Sequence, residues 1–365
     1  MDNRMTNTTT NTTTSSTIGI PCMLMRGGTS KGPFFIAQDL PSEEGARNQA
    51  LLRMMGSPDA RQIDGLGGAH PLTSKVAIVS SSERPEVDVD YLFLQVTPET
   101  GAISAAQNCG NMLAAVGPFA IERGLVAAET KQTVVRVHMV NSDAYAELVV
   151  QTPDGKVTYE GDAKIDGVPG SHAPILQRYY GTAGAQCGAL LPTGNAIDTI
   201  DDVDCTLVDN GMPSVLIRAK DLGLSGYEAP EVLEANEALK IRLEAIRIQA
   251  GQMMNLGDVT DKTIPKMCLI APPINGGIIS TRTFIPHRVH LSVGVLGAAS
   301  SAAGCMLPNS VAAGMAIFAK TNPCQVDVEH PTGMLTVELE WDDSTVVRTA
   351  LLRTARKIMD GEVFP

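Results

Sequence analysis

Cys109 stands in Gln107-Asn108-Cys109-Gly110-Asn111-Met112, between small polar residues and directly ahead of an apolar run of helical length at 113–121. A thiol at the start of a helix faces the positive end of the helix dipole and backbone N–H groups that have no partner of their own. Thiols in that setting exchange a proton near neutrality; the structural counterpart is a cysteine buried at the helix start and packed as a small hydrophobe. Gly110 lets a ligand approach the backbone, and unpartnered amides suit a carboxylate. A second proton carrier is Lys75, in Leu72-Thr73-Ser74-Lys75 ahead of Val76-Ala77-Ile78-Val79. That apolar run predicts a buried strand with Lys75 at its mouth, where loss of solvation suits an amine to act as a base. The structural counterpart is a lysine that snorkels over the strand end.

Arg26-Gly27-Gly28-Thr29-Ser30-Lys31-Gly32 is a glycine-rich loop between two short apolar runs. It lacks the spacing of a Walker phosphate loop, and no long helix follows it. It reads as a tight hairpin, or as a cationic lip that holds a carboxylate between Arg26 and Lys31.

These residues need elements to carry them. Periodicity predicts strands at 21–25, 34–37, 76–79 and 90–96, helices at 44–55 and 113–123, and paired strands at 134–140 and 144–151. Further on it predicts strands at 205–208, 215–217, 266–271 and 278–284, an amphipathic helix over 231–251, and a small-residue helix entered through 293–300 and ending near 305. Strands at 337–341, 346–357 and 362–364 close the chain. A strand, a glycine and a small-residue helix thus occur once in each half. The economical architecture is two pseudo-equivalent α/β units, at 18–187 and 188–357, with a cleft between them and a final strand at 358–365 able to return to the first unit. Residues 1–17 are mostly a Thr-rich polar tail too poor in apolar groups to order itself, and without the apolar core of an export signal.

The bulk properties narrow the function. Forty acidic against 28 basic residues give a net charge of −12, which argues against binding nucleic acid or an anionic membrane surface. No apolar run approaches the roughly 20 residues of a membrane span. Seven cysteines, with no C-x-x-C pair, favour reduced thiols and a cytoplasmic location. His287 and His290 lie three apart, but with no further donor nearby no metal site is expected. The Gly- and Ala-rich helices are of a kind that leaves a homodimer open.

Four motifs together resemble the 2-methylaconitate cis-trans isomerase (PrpF) family: Met25-Arg26-Gly27-Gly28-Thr29-Ser30-Lys31-Gly32, Leu72-Thr73-Ser74-Lys75-Val76-Ala77, Asn108-Cys109-Gly110-Asn111 and Asp166-Gly167-Val168-Pro169-Gly170. The likeness runs from about 20 to 364. Met55-Gly56-Ser57-Pro58-Asp59 and Ser280-Thr281-Arg282-Thr283-Phe284 resemble the branch that works on 4-oxalomesaconate in gallate degradation. The resemblance implies a diaminopimelate epimerase-like α/β (α+β) fold: two pseudo-symmetric domains, each a curved sheet around a central helix, with the active site in the cleft. It also implies cofactor-free proton transfer on a small unsaturated tricarboxylate, such as 4-oxalomesaconate, 2-methylaconitate or aconitate. Amino-acid epimerases of this fold start each central helix with a cysteine. Here the second half reads Val295-Leu296-Gly297-Ala298-Ala299-Ser300 with no thiol, which agrees with the isomerase branch, and the resemblance to that branch implies Lys75 and Cys109 as the catalytic pair.

Three carboxylates call for several cations or amide clusters, and arginine's planar fork suits them. The candidates are Arg26, Lys31, Arg282 and His287 or Arg288, with Gly28, Thr29, Ser30, Ser74, Asn108, Gly110 and Asn111 completing the first-domain wall. Asn210 and the helix start at Gly297 are the candidates from the second domain. A cysteine hydrolase is disfavoured, since no histidine lies in the motifs that line the cleft. A non-catalytic tricarboxylate-binding protein is the remaining alternative, and the presence of both Lys75 and Cys109 argues against it.

Overall fold

Strands that alternate between two apolar coverings, and two helices apolar on every side, account for the architecture. The computed structural model describes residues 18–106, 108–285 and 288–365, and the Thr-rich tail lies outside them. The first half contains β1 (Ile20–Gly27), β2 (Ser30–Ile36), α1 (Glu44–Met55), β3 (Lys75–Ser81), β4 (Val89–Val96), β5 (Ile103–Ser104), α2 (Gly110–Glu122), β6 (Lys131–Met139), β7 (Ala144–Thr152) and β8 (Pro174–Tyr180). The second contains β9 (Asp198–Ile200), β10 (Val203–Asp209), β11 (Pro213–Arg218), α3 (Pro230–Glu234), α4 (Glu237–Met253), β12 (Lys266–Ala271), β13 (Ile279–Phe284), α5 (Val295–Met306), β14 (Cys324–His330), β15 (Gly333–Asp342) and β16 (Thr345–Val363).

Strands β1-β2-β3-β4-β6-β7-β8-β16 pair in that order, and β16 returns to pair with β1, so the first sheet closes on itself. The second sheet, β15-β14-β13-β12-β11-β10-β9, stays open at β9. Strand β16 joins the two: Thr345–Leu351 pair with β15, Arg348–Thr354 with β8, and Ala355–Val363 with β1. The separate strands expected at 346–357 and 362–364 are therefore one.

Helix α2 lies inside the first sheet and α5 inside the second. Residues Met112–Ala120 of α2 and Gly297–Cys305 of α5 are buried. A helix apolar all round is a core helix. The Gly- and Ala-rich helices behind the homodimer expectation thus pack within each half rather than on a surface. Helix α1 covers the outer face of the first sheet and α4 that of the second. On β3, Ala77 and Val79 turn toward α2, whereas Val76 and Ile78 turn toward α1.

The helix expected over 231–251 breaks into α3 and α4 because Asn236 Oδ1 accepts the Leu239 N–H at 3.1 Å and starts a new helix. Strands β8 and β14 lie outside the elements that periodicity predicts. Among the described residues no helix is long and apolar enough to cross a membrane.

Candidate active site

The starts of α2 and α5 meet. A Cβ placed on Gly110, the first residue of α2, would lie 3.3 Å from Val295 Cγ1 on the first turn of α5 and 3.3 Å from the Tyr179 hydroxyl. Neither helix carries a side-chain cap: the N-cap of α2 is Cys109 and that of α5 is Gly294. The N–H groups of two first turns therefore point into one region, which suits an anion.

Cys109 is half-buried, whereas the other six described cysteines are buried. Its place is one residue ahead of the first turn, with extended backbone at φ −128°. Tyr91 Oη donates to Cys109 O at 3.3 Å, Gln177 Nε2 to Gly110 O at 2.6 Å, and Tyr179 Oη to Gln177 Oε1 at 3.1 Å. Burial pushes both tyrosine hydroxyls above their ordinary range, so they stay protonated and serve as donors. Asn108 donates to the Ser142 hydroxyl, and its buried Oδ1 has no partner among the described residues.

Lys75 opens β3 and, by alternation with Ala77 and Val79, turns toward α2. It is 7% exposed. Its Nζ donates to Gln95 Oε1 at 2.6 Å and lies 5.0 Å from the centre of the Phe93 ring. The Gln95 amide donates to Pro71 O, Ser74 O and Val96 O, which fixes its oxygen toward the lysine. Lys75 is thus aimed rather than snorkelling, and on the α2 side, as Cys109 is.

The glycine-rich loop is a two-residue hairpin turn at Gly28-Thr29, and it is pressed onto α2. A Cβ on Gly28, at φ +50°, would collide with Asn111 Oδ1, and one on Gly32 with Lys75 O. Asn111 Nδ2 donates to Thr29 Oγ1 at 3.1 Å. Arg26 and Lys31, the expected cationic lip, turn away from α2, and Arg26 Nη2 is buried with no partner among the described residues. Met23, Met25 and Gly27 face α2, so Arg26 and its cross-strand partner Lys31 face the other way. Arg26 Nη1 instead ties the turn to β16 through Gly28 O and Thr354 O, both at 2.9 Å. Ser74 also faces outward and donates to Gln62 Oε1 at 2.7 Å. Ser30 turns inward; its hydroxyl is buried with no partner among the described residues.

The second-half candidates divide similarly. Gly297 is buried in the first turn of α5, at the meeting point of the helices. Asn210 is fully buried and already bonded: its Oδ1 accepts from Thr182 at 2.6 Å, its Nδ2 donates to Thr349 Oγ1 at 3.0 Å, and its N–H donates to Ser300 Oγ at 3.0 Å. It stitches α5 to β16 and presents nothing to a ligand. Arg282 shares a face with Leu269 and Phe284, toward α4, and its Nε donates to Glu228 O at 2.8 Å. The inward residues of β13 are Ile279, Thr281 and Thr283. Arg288 lies on the surface, 3.3 Å from Glu234, and His287 lies outside the described residues.

Next to both helix starts is a cavity of about 210 Å³. Thr29 and Asn111 line it from the first half, Ser292 and Val293 from the approach to α5, His330 from the end of β14, and Arg353 from β16. Motif and spacing do not point to the last four of these. Burial lowers the Arg353 guanidinium to about 10, with Tyr179 pulling the other way, so it remains a cation. Among the described residues no three His, Cys, Asp or Glu side chains gather as a metal site.

Residues 17–365 match the family described as PrpF protein. The chain is 57% identical over 345 residues to the (4E)-oxalomesaconate Delta-isomerase of Novosphingobium sp. (strain KA1), spanning 94% of this chain and 97% of that one. It is 54% identical over 344 residues to the 4-oxalomesaconate tautomerase of Pseudomonas putida, spanning 94% and 95%. The crystal structure of a methylitaconate-delta-isomerase superposes with a TM-score of 0.87 at 35% identity over 95% of each chain. Two sheets, each wrapped on a central helix, with the helix starts face to face, make the diaminopimelate epimerase-like fold.

Proposed function

The chain belongs to the PrpF protein family and is an isomerase, and we propose that it moves a proton along the allylic system of 4-oxalomesaconate using Lys75 and Cys109. The observation that carries this reading is the meeting of two uncapped helix starts, with the one half-buried cysteine among the seven described at the N-cap of α2.

The substrate's methylene group lies between a keto carbon and a double bond, so its proton is acidic once the resulting dienolate is held by donors. Lys75 Nζ, steadied by Gln95, takes that proton. The Cys109 thiol returns one at the far carbon of the allylic system, and solvent exchange resets both groups. The first-turn N–H groups of α2 and α5 hold the carboxylates and the negative charge that develops. Each group contributes about 10²–10⁴-fold. The free thiols support a reducing, cytoplasmic setting.

Proton NMR in D₂O with 4-oxalomesaconate, 2-methylaconitate and cis-aconitate, each incubated separately, tests the assignment. Fast deuterium uptake and conversion of the oxalo compound alone is the expected result. Faster turnover of either aconitate would move the substrate to that of a sister isomerase.

A further inference from the structure

The cavity beside the two helix starts carries donors that the proton transfer does not use. Arg353 is 6% exposed. Its Nη1 donates to Leu352 O at 2.8 Å, and its Nε has no hydrogen-bond partner among the described residues. A buried guanidinium left short of a partner marks a place where an anion belongs. On the neighbouring wall, His330 Nδ1 accepts the Thr332 N–H at 3.3 Å, so the ring hydrogen resides on Nε2 and points to Ser292 Oγ at 3.2 Å. The Ser292 hydroxyl is then free to donate in turn to a ligand oxygen. Burial lowers His330 to about 4 despite the opposing pull of Asp166, which keeps the ring neutral and this chain of donors intact.

We infer that this cavity is a specificity pocket for an α-keto-carboxylate arm on the substrate, with Arg353 holding the carboxylate and Ser292 donating to the keto oxygen. The inference rests on the function proposed above and names the part of the substrate that the cavity selects. Neither Lys75 nor Cys109 lines the cavity, so it holds an arm, not the reacting carbons. The two acids on its wall are engaged: Asp166 accepts the Met334 N–H and Asp327 the Thr336 hydroxyl at 2.5 Å. A methyl group in place of the arm leaves the arginine unsatisfied, and sites built around polar donors reject such analogues strongly.

Calorimetric titration of the full chain with 2-oxoglutarate and with glutarate tests this, because the two diacids differ only in the keto oxygen. The wild-type chain is expected to bind 2-oxoglutarate about 10-fold more tightly, the worth of one added hydrogen bond. Arg353→Gln is expected to weaken 2-oxoglutarate about 100-fold, and Arg353→Lys to recover part of that loss. Ser292→Ala is expected to make the two diacids bind alike, and it decides the matter if Arg353→Gln fails to fold. Equal affinities in the wild-type chain, or an Arg353→Gln chain that binds 2-oxoglutarate as the wild type does, overturns the pocket. An Arg353-dependent preference for 2-oxoglutarate in a chain that does not convert 4-oxalomesaconate would support the pocket while removing the proposed reaction.

Discussion

Helices α2 and α5 occupy matching places in the two halves and begin against one another, yet they begin with different chemistry. Helix α2 opens with Cys109 and is flanked by Asn108 and Asn111, whereas α5 opens with Gly294, Val295 and Gly297, none of which can carry a proton. Both first turns offer uncapped N–H groups. On the proposed reading the anion-holding part of the site is therefore duplicated, and the proton-carrying part is not. Lys75 comes from the same half as Cys109, so on this account the first half supplies the proton chemistry. The second half closes the site and, with β16, forms the arm cavity. A pair of equivalent thiols would work from opposite faces of one carbon; an amine and a thiol from one half suit transfer between two carbons of a planar system.

The comparison breaks most readily at the first half. Lys75→Ala and Cys109→Ala are each expected to lower turnover by about 10²–10⁴-fold with the far-ultraviolet spectrum unchanged; steady-state rates give the answer. Away from the cavity, substitution at Asn210 in the second half is expected to cost stability instead. Asn210→Ala removes a buried residue with three polar partners, and denaturant titration should show a loss of about 1–3 kcal/mol, with turnover per folded molecule retained. An effect of comparable size, but confined to acid pH, comes from His330, which the fold holds neutral down to about 4. The unfolded chain takes up that proton below about pH 6.5, so stability present above 6.5 is lost as the pH falls toward 4, by at most about 1.4 kcal/mol per unit. Thermal melts across that window should show a shallower slope for His330→Gln than for the wild-type chain. The smallest effect is expected from adding the missing thiol. A side chain at Gly294 would enter open space, and the backbone there has an ordinary φ of −65°. Gly294→Cys in the Cys109→Ala background should leave turnover at its reduced level, and recovery would mean that the two helix starts are interchangeable.

The sequence exposes the proposed catalytic pair because each residue stands next to a local pattern: a lysine at the mouth of an apolar strand and a cysteine ahead of a helical apolar run. The side of the sheet a residue faces is harder to see. Cys22, Met23 and Met25 are all apolar because Cys22 packs on the α1 side of β1 and Met23 and Met25 on the α2 side, so no alternation shows that Arg26 turns away from the candidate site. The same holds for β13, where all six residues are buried and Arg282 faces α4. Asn210 sits in an Asn-Gly turn that has the look of a site loop and proves to be a core knot. Gln177, Tyr179 and His330 are hidden because β8 and β14 mix polar and apolar residues without a clear period. Arg353 is one arginine among several on β16, and only the pairing of that strand with β8 places it on the cavity wall.

Isotope partitioning separates the two proton steps: 4-oxalomesaconate in D₂O with the wild-type, Lys75→Ala and Cys109→Ala chains, followed by proton NMR at both allylic carbons. If Lys75 removes the proton and Cys109 returns it, the Cys109→Ala chain exchanges deuterium at the methylene carbon while forming little product, and the Lys75→Ala chain does neither. Methylene exchange by the Lys75→Ala chain at the wild-type rate would contradict the account.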